Sequence, residues 1–188
     1  MNLPNKLTML RMILVPFFLL FLLVDAIPLN GLWALLVFAA ASVTDALDGH
    51  IARSRNLITV FGKFLDPVAD KVLVFAALIA FTEMGLAPSA AVVIMMAREF
   101  LVSSLRMVAA GNGTVLAAGK SGKVKTAVTM VAIIAILMML TLSDLGLLPA
   151  FVSLVTVSHL LIWICGVLTV YSGWEYLWQN RKEFTGSM

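Results

Sequence analysis

The sequence predicts an all-α fold, a polytopic membrane bundle of six transmembrane helices with both termini cytoplasmic. Three observations carry that expectation. Of the 188 residues 62% are hydrophobic and only 12% charged, too few charges to coat a water-soluble domain of this size. The apolar residues fall into six runs near the roughly 20 residues that cross a hydrocarbon layer. All thirteen Lys and Arg lie on one side of the alternation those runs impose, and basic segments mark the cytoplasmic face. A single domain, 1–188, is expected, without a disulfide framework, since Cys165 is the one cysteine.

The runs cover roughly 4–24, 29–53, 62–83, 88–110, 122–142 and 149–177, and Gly or Pro punctuates most of the breaks between them. The first run opens at Pro4, carries Asn5, Thr8 and Arg11 at steps of three, and lacks a small-residue cleavage site. It therefore reads as a retained span rather than a removed signal. The second run ends in Asp45, Asp48, Gly49, Ala52 and Arg53, and the third begins with Gly62, Asp66 and Asp70. Pro67 cannot donate a helical hydrogen bond, so the third span either starts near Asp66 or is kinked there. The fourth run holds Arg98, Glu99 and Arg106 inside it, placing Arg98 too deep for a surface residue. Lys120, Lys123 and Lys125 open the fifth run. The sixth ends in Trp174, Tyr176 and Trp178 followed by Arg181 and Lys182, the composition of an aromatic anchor at a membrane interface. His159 is expected mid-span with a hydrogen bond inside the bundle, and Cys165 as packing.

The stretch from Val43 to Lys71 organises the rest. Four aspartates next to hydrocarbon-like sequence are costly unless something cationic compensates them. On a helix Asp45, Asp48, Gly49 and Ala52 share one stripe, and Gly62, Asp66 and Asp70 repeat every four residues on the next span. Two antiparallel helices joined by a short loop bring the acid pairs face to face. Glycine and alanine on the same face let a ligand approach the backbone. An oxygen-only donor set favours Mg²⁺ or Mn²⁺ over zinc, and four acids can hold two ions, the usual clamp for phosphoryl transfer. The bland alternative is a salt-bridge net with Arg53, Arg55, Lys63 and Lys71, which would have no use for glycines at fixed offsets.

Asp45-x-x-Asp48-Gly49-x-x-Ala52-Arg53, eight residues, then Gly62-x-x-x-Asp66-x-x-x-Asp70 resembles the full signature of the CDP-alcohol phosphatidyltransferase family. Segments 2–11, 61–71, 97–100 and 122–126 are similar to a bacterial branch of that family. The resemblance implies transfer of a phosphatidyl group from CDP-diacylglycerol to an alcohol with release of CMP. The branch suggests sn-glycerol 3-phosphate as the acceptor. It further implies that Asp45, Asp48, Asp66 and Asp70 ligate two divalent ions and that Asp70 is the general base. Asn5, Thr8, Gly49, Ala52, Arg53 and Gly62 would bind the CDP moiety. Arg11, Arg98, Arg106, Lys123 and Lys125 are candidates for the acceptor phosphate. For Asn5, Thr8 and Arg11 the plain alternative is interfacial anchoring, and for the three lysines it is binding of anionic headgroups.

Expected partners are both substrates, membrane lipids and a second copy in a homodimer, with no nucleic acid. The expected location is the bacterial cytoplasmic membrane with the site on its cytoplasmic side. Rival readings are the same chemistry on inositol phosphate, serine or phosphatidylglycerol, a divalent-cation transporter, or a non-catalytic lipid-binding scaffold. A transporter needs acids through the bilayer depth, whereas these cluster at one face.

Overall fold

The computed structural model describes residues 3–54, 60–111 and 119–181, with side chains for 6–44, 68, 69, 71–111 and 119–181. Six helices follow one another: α1 (Leu3–Leu23), α2 (Asn30–Ser54), α3 (Val60–Glu83), α4 (Ser89–Gly111), α5 (Lys120–Asp144) and α6 (Leu154–Gln179). No strand occurs among the described residues. Packed neighbours close a ring, α1 on α2, α2 on α5, α5 on α6, α6 on α4, α4 on α3 and α3 back on α1. Weaker contacts of α3 with α2 and α5 cross it.

The helix boundaries follow the expected breaks with one difference, at α6, and α3 decides between the two expectations for Pro67. Helix α6 starts at Leu154 rather than near Pro149, because the Ser153 hydroxyl caps it, accepting from the Thr156 amide at 3.4 Å; a side-chain oxygen there supplies an acceptor the first turn lacks. Helix α3 starts at Val60, so Pro67 lies inside the helix and not at its beginning. Pro16 is likewise internal to α1.

The α3 and α5 C-termini close alike. Gly85 and Gly146 take φ of 71° and 67°, backbone conformations that favour glycine. Around them Leu86 N donates to Phe81 O at 2.7 Å and Gly85 N to Thr82 O at 3.1 Å. Leu147 N donates to Leu142 O at 2.8 Å and Gly146 N to Ser143 O at 3.0 Å. These paired bonds satisfy carbonyls that the last helical turn leaves open.

The core combines large side chains with small ones. Phe18 and Phe38 meet across α1 and α2 with centroids 5.7 Å apart, surrounded by buried Leu22, Leu78, Phe81, Ile133, Ile136 and Ile162. Ala34, Ala41, Ala77, Ala80 and Ala91 are buried where helices approach, as close helix packing in membranes requires. Interior hydroxyls return to their own helix: Thr82, Thr129, Thr141 and Thr169 each donate to the carbonyl four residues earlier at 2.7–3.0 Å. That bonding removes the cost of an unsatisfied buried hydroxyl. Outward, the bundle exposes Phe17, Leu36, Ile79, Val93, Met107, Val131 and Val167, a surface suited to lipid rather than water. Three stretches are long and apolar enough to cross a membrane, Lys6–Leu23, Lys120–Asp144 and Leu154–Gln179, and Asn30–Thr44 is a shorter apolar helix. The chain is thus a membrane protein by length and composition.

Two polar contacts define which helix ends lie together. The Gly31 amide at the start of α2 donates to Asp144 Oδ2 at the end of α5, 3.1 Å away, an anion at a helix N-terminus. His159 Nε2 donates to the Gly85 carbonyl at 3.0 Å. His159 therefore sits near the start of α6 against the α3–α4 turn, not mid-span as expected. The starts of α2, α4 and α6 and the ends of α3 and α5 share one end of the bundle. The last turns of α2, α4 and α6 and the first of α3 and α5 occupy the other.

Gly31 is held by contact on all sides: a Cβ there would lie 2.9 Å from Asp144 Oδ2 and 3.0 Å from the Thr141 amide nitrogen. Because one neighbour is backbone, Gly31→Ala should cost about 1–3 kcal/mol, the usual range for overpacking. Thermal unfolding in detergent should show a lowered midpoint; an unchanged midpoint would show that α2 and α5 can separate freely there.

Candidate active site

At the second end, α2 carries Asp45, Asp48, Gly49, Ala52 and Arg53 in its last turns. Helix α3 carries Gly62, Asp66 and Asp70 in its first three turns. The two acid pairs thus lie on consecutive helices at the same end. Their side chains, with those of Asn5 and the other signature residues, lie outside the described residues. Among the described residues no group of three His, Cys, Asp or Glu gathers to hold an ion. The donor set fits a hard divalent cation by chemistry, since it supplies carboxylates and neither thiolate nor imidazole.

Helix α1 packs on both acid-bearing helices. Thr8 and Arg11, three residues apart, are each only 1% exposed. Burial of both is at odds with a surface anchor. It places a permanent positive charge inside the bundle at the end where α2 and α3 carry their aspartates.

A second polar layer joins α3, α4, α5 and α6. Lys71 Nζ donates to Ser103 Oγ. Arg98 NH1 donates to Glu99 Oε1 at 2.6 Å, and Lys125 Nζ donates to the same oxygen. Lys71, Glu99, Lys125, Thr126 and Thr129 line a cavity of about 40 Å³ between α3, α4 and α5. The Arg98 stem lies flat on Gly173 of α6, where a Cβ would fall 2.9 Å from Cγ. Its NH2 would stand 4.0 Å from a Cβ on Gly122 of α5. Arg106 Nε donates to the Tyr176 hydroxyl at 3.4 Å, with its guanidinium carbon 5.2 Å from the ring centroid, a cation–π stack.

The lysines opening α5 divide. Lys120 and Lys123 are exposed, whereas Lys125 is buried in the ion pair with Glu99. Lys123 and Lys125 therefore meet different surroundings. An exposed lysine at a helix start fits a headgroup or a solvated phosphate, and a buried, paired one fits a built site. Arg98 pairs with its sequence neighbour Glu99.

Two comparisons bear on what this arrangement is. A family model described as CDP-alcohol phosphatidyltransferase matches residues 1–171. The chain belongs to the CDP-alcohol phosphatidyltransferase family. This family member is 42% identical over 199 residues to the CDP-diacylglycerol--glycerol-3-phosphate 3-phosphatidyltransferase of Bacillus subtilis (strain 168), covering 99% of this chain and 98% of that one. It is 36% identical to the protein of the same name from Rickettsia bellii (strain RML369-C), with 97% of each chain covered. For the Shigella flexneri serotype 5b (strain 8401) protein of that name the identity is 38%, over 97% of this chain and 96% of the relative.

In this phosphatidyltransferase, Ser103, Gly122, Gly173 and Tyr176 join the basic residues by contacts that sequence reasoning missed. Each contact runs between two different helices, and no spacing rule along one helix reports it. The glycines alone left a trace, as small residues on otherwise bulky apolar spans.

Lys125→Met should lower the unfolding midpoint in detergent far more than Lys123→Met. Removing Lys125 takes from Glu99 a charge-assisted bond worth about 1.5–3 kcal/mol, whereas an exposed substitution usually stays within about 0.5 kcal/mol. Equal midpoints for the two variants would contradict the burial described for Lys125.

Proposed function

We propose that this chain transfers the phosphatidyl group of CDP-diacylglycerol to sn-glycerol 3-phosphate, giving phosphatidylglycerophosphate and CMP. One observation carries the reading. The complete aspartate signature sits in a chain alike over nearly its whole length to relatives named for that reaction. Lys71 and Lys125, which share the wall of one small cavity between α3, α4 and α5, support a phosphorylated acceptor over serine or another alcohol without phosphate.

The aspartates Asp45, Asp48, Asp66 and Asp70 would hold two divalent ions, Mg²⁺ or Mn²⁺. Bound there, the ions would neutralise charge on the pyrophosphate and on departing CMP. Asn5, Thr8, Gly49, Ala52, Arg53 and Gly62 bind the cytidine and its phosphates in this reading, with the glycines and alanine leaving the backbone approachable. Asp70 takes the proton of the acceptor hydroxyl. The acceptor oxygen bonds to the phosphorus nearest the lipid while that phosphorus loses its bond to the CMP phosphate oxygen. An acid beside metal ions has a low proton affinity, so Asp70 needs one oxygen free of them. Arg11, Arg98, Arg106, Lys123 and Lys125 orient the phosphate of the acceptor. This holds the hydroxyl close to the phosphorus and converts a bimolecular step into a positioned one.

The setting is the bacterial cytoplasmic membrane. All six helices span it in this reading, with both termini and the site on the cytoplasmic side. The one-sided distribution of thirteen basic residues supports that orientation. A homodimer is the proposed assembly.

Purified enzyme given labelled CDP-diacylglycerol and a panel of alcohols should release CMP most efficiently with sn-glycerol 3-phosphate. Preference for inositol phosphate, serine or phosphatidylglycerol would overturn the acceptor while keeping the chemistry. Excess chelator should abolish CMP release and Mg²⁺ or Mn²⁺ restore it; turnover surviving in chelator would exclude the metal role. Asp70→Asn should still bind CDP-diacylglycerol but lose at least about 100-fold in kcat, the scale of a general base. Near-normal turnover would remove Asp70 from that role.

A further inference from the structure

We propose that Glu99 is a positioning residue of the acceptor site, holding Arg98 and Lys125 together so that both present donors to one phosphate. The inference rests on the phosphatidyl-transfer reading above and adds a residue which that reading leaves without a role.

One carboxylate oxygen, Glu99 Oε1, accepts from Arg98 of its own helix at 2.6 Å and from Lys125 of α5. The three side chains are 18%, 12% and 9% exposed respectively. Two cations and one anion leave a net positive charge in a region largely closed to water. Such surplus charge is costly to bury unless an anion completes it. Donors remain for that anion. A guanidinium has five N–H groups and an ammonium three, and Glu99 engages one side of each. Arg98 Nε is buried and meets no acceptor among the described residues.

The position suits the acceptor. Glu99 and Lys125 line the same cavity as Lys71, the residue that follows Asp70 on α3. Its volume of about 40 Å³ takes a few water molecules or the oxygens of a small polar group. Lys125, with Arg98 tied to it through Glu99, is therefore separated by one small cavity, walled also by Val74, Phe75, Leu78 and Met95, from the helix segment that carries the proposed base. The Arg98 stem is confined on its far side by Gly173, and Glu99 holds the near side of its guanidinium. Without the carboxylate, two like charges drawn to one point would repel, and the pair would open.

The test uses purified full-length enzyme and reads CMP release and thermal midpoint for wild type, Glu99→Gln, Glu99→Asp, and Glu99→Gln combined with Lys125→Met. Glu99→Gln should raise the KM for sn-glycerol 3-phosphate about 10- to 100-fold, the loss of one charge-assisted hydrogen bond. The KM for CDP-diacylglycerol should stay close to wild type. Glu99→Asp, which keeps the charge, should recover part of the acceptor KM. Inorganic phosphate should compete with the acceptor in wild type and lose potency in Glu99→Gln. The double variant separates site from scaffold: removing both charges should restore the thermal midpoint while the acceptor KM stays high. Equal rises in both KM values, or an acceptor KM that returns to normal in the double variant, would reduce Glu99 to a structural ion pair and overturn the proposal. If Glu99→Gln alone does not fold, Glu99→Asp and the double variant decide by the same criteria. Wild-type enzyme that fails to use sn-glycerol 3-phosphate would instead refute the reaction assigned above, a result separate from any effect at Glu99.

Discussion

Charge inside a bundle whose outer surface is hydrocarbon-like has to be matched from within, and that constraint shapes the whole molecule. Exposed Phe17, Val93, Val131 and Val167 give the helices a lipid-compatible exterior, so no water stands ready to solvate an ion between them. Several ionised groups in the interior are accordingly met by protein: Lys71 by Ser103, Glu99 by Arg98 and Lys125, Arg106 by the hydroxyl and ring of Tyr176. Hydroxyls obey the same rule on a smaller scale, folding back on their own helix carbonyls at Thr82, Thr129, Thr141 and Thr169.

The two ends of the bundle follow from it. One end is closed by glycine-terminated helices, by the Asp144 carboxylate on the α2 N-terminus, and by His159 on the α3–α4 turn. Those contacts are few and local, and their business is to fix helix ends. At the other end, α2 and α3 carry four aspartates in their last and first turns, and α1 brings buried Arg11 against both helices. A bundle with this apolar an exterior gathers so many charges at one end only at some cost in stability. On the proposed assignment of the site, that cost is accepted because the substrates bring compensating negative charge.

The closed ring of helices gives the charged end its shape. Helix α1 lies against both acid-bearing helices, and α4 reaches α6 through Ala91 against Gly166 and Arg98 against Gly173. The small residues let backbones approach, which brings a long cationic side chain across from one helix to the next. Lys125 is drawn inward by Glu99, while Lys123, two residues earlier on the same helix, remains outside. Neighbours in sequence thereby acquire different work.

Much of this was legible before any coordinates. Hydrophobic run length determined the six helices seen among the described residues, because an apolar run of that length leaves few other conformations. The signature aspartates led to the reaction class through the family whose motif they match; the register of acids and small residues by itself pointed only to a site for hard divalent cations. What the chain alone left open was every decision between helices. The start of α6 depended on a serine cap, the position of His159 on a turn more than seventy residues away, and the fates of Lys123 and Lys125 on which face of α5 meets α4. Residue spacing reports the face a side chain occupies on its own helix; only the packing of the ring decides what stands opposite that face, and with it which charges are buried, paired or left to meet a substrate.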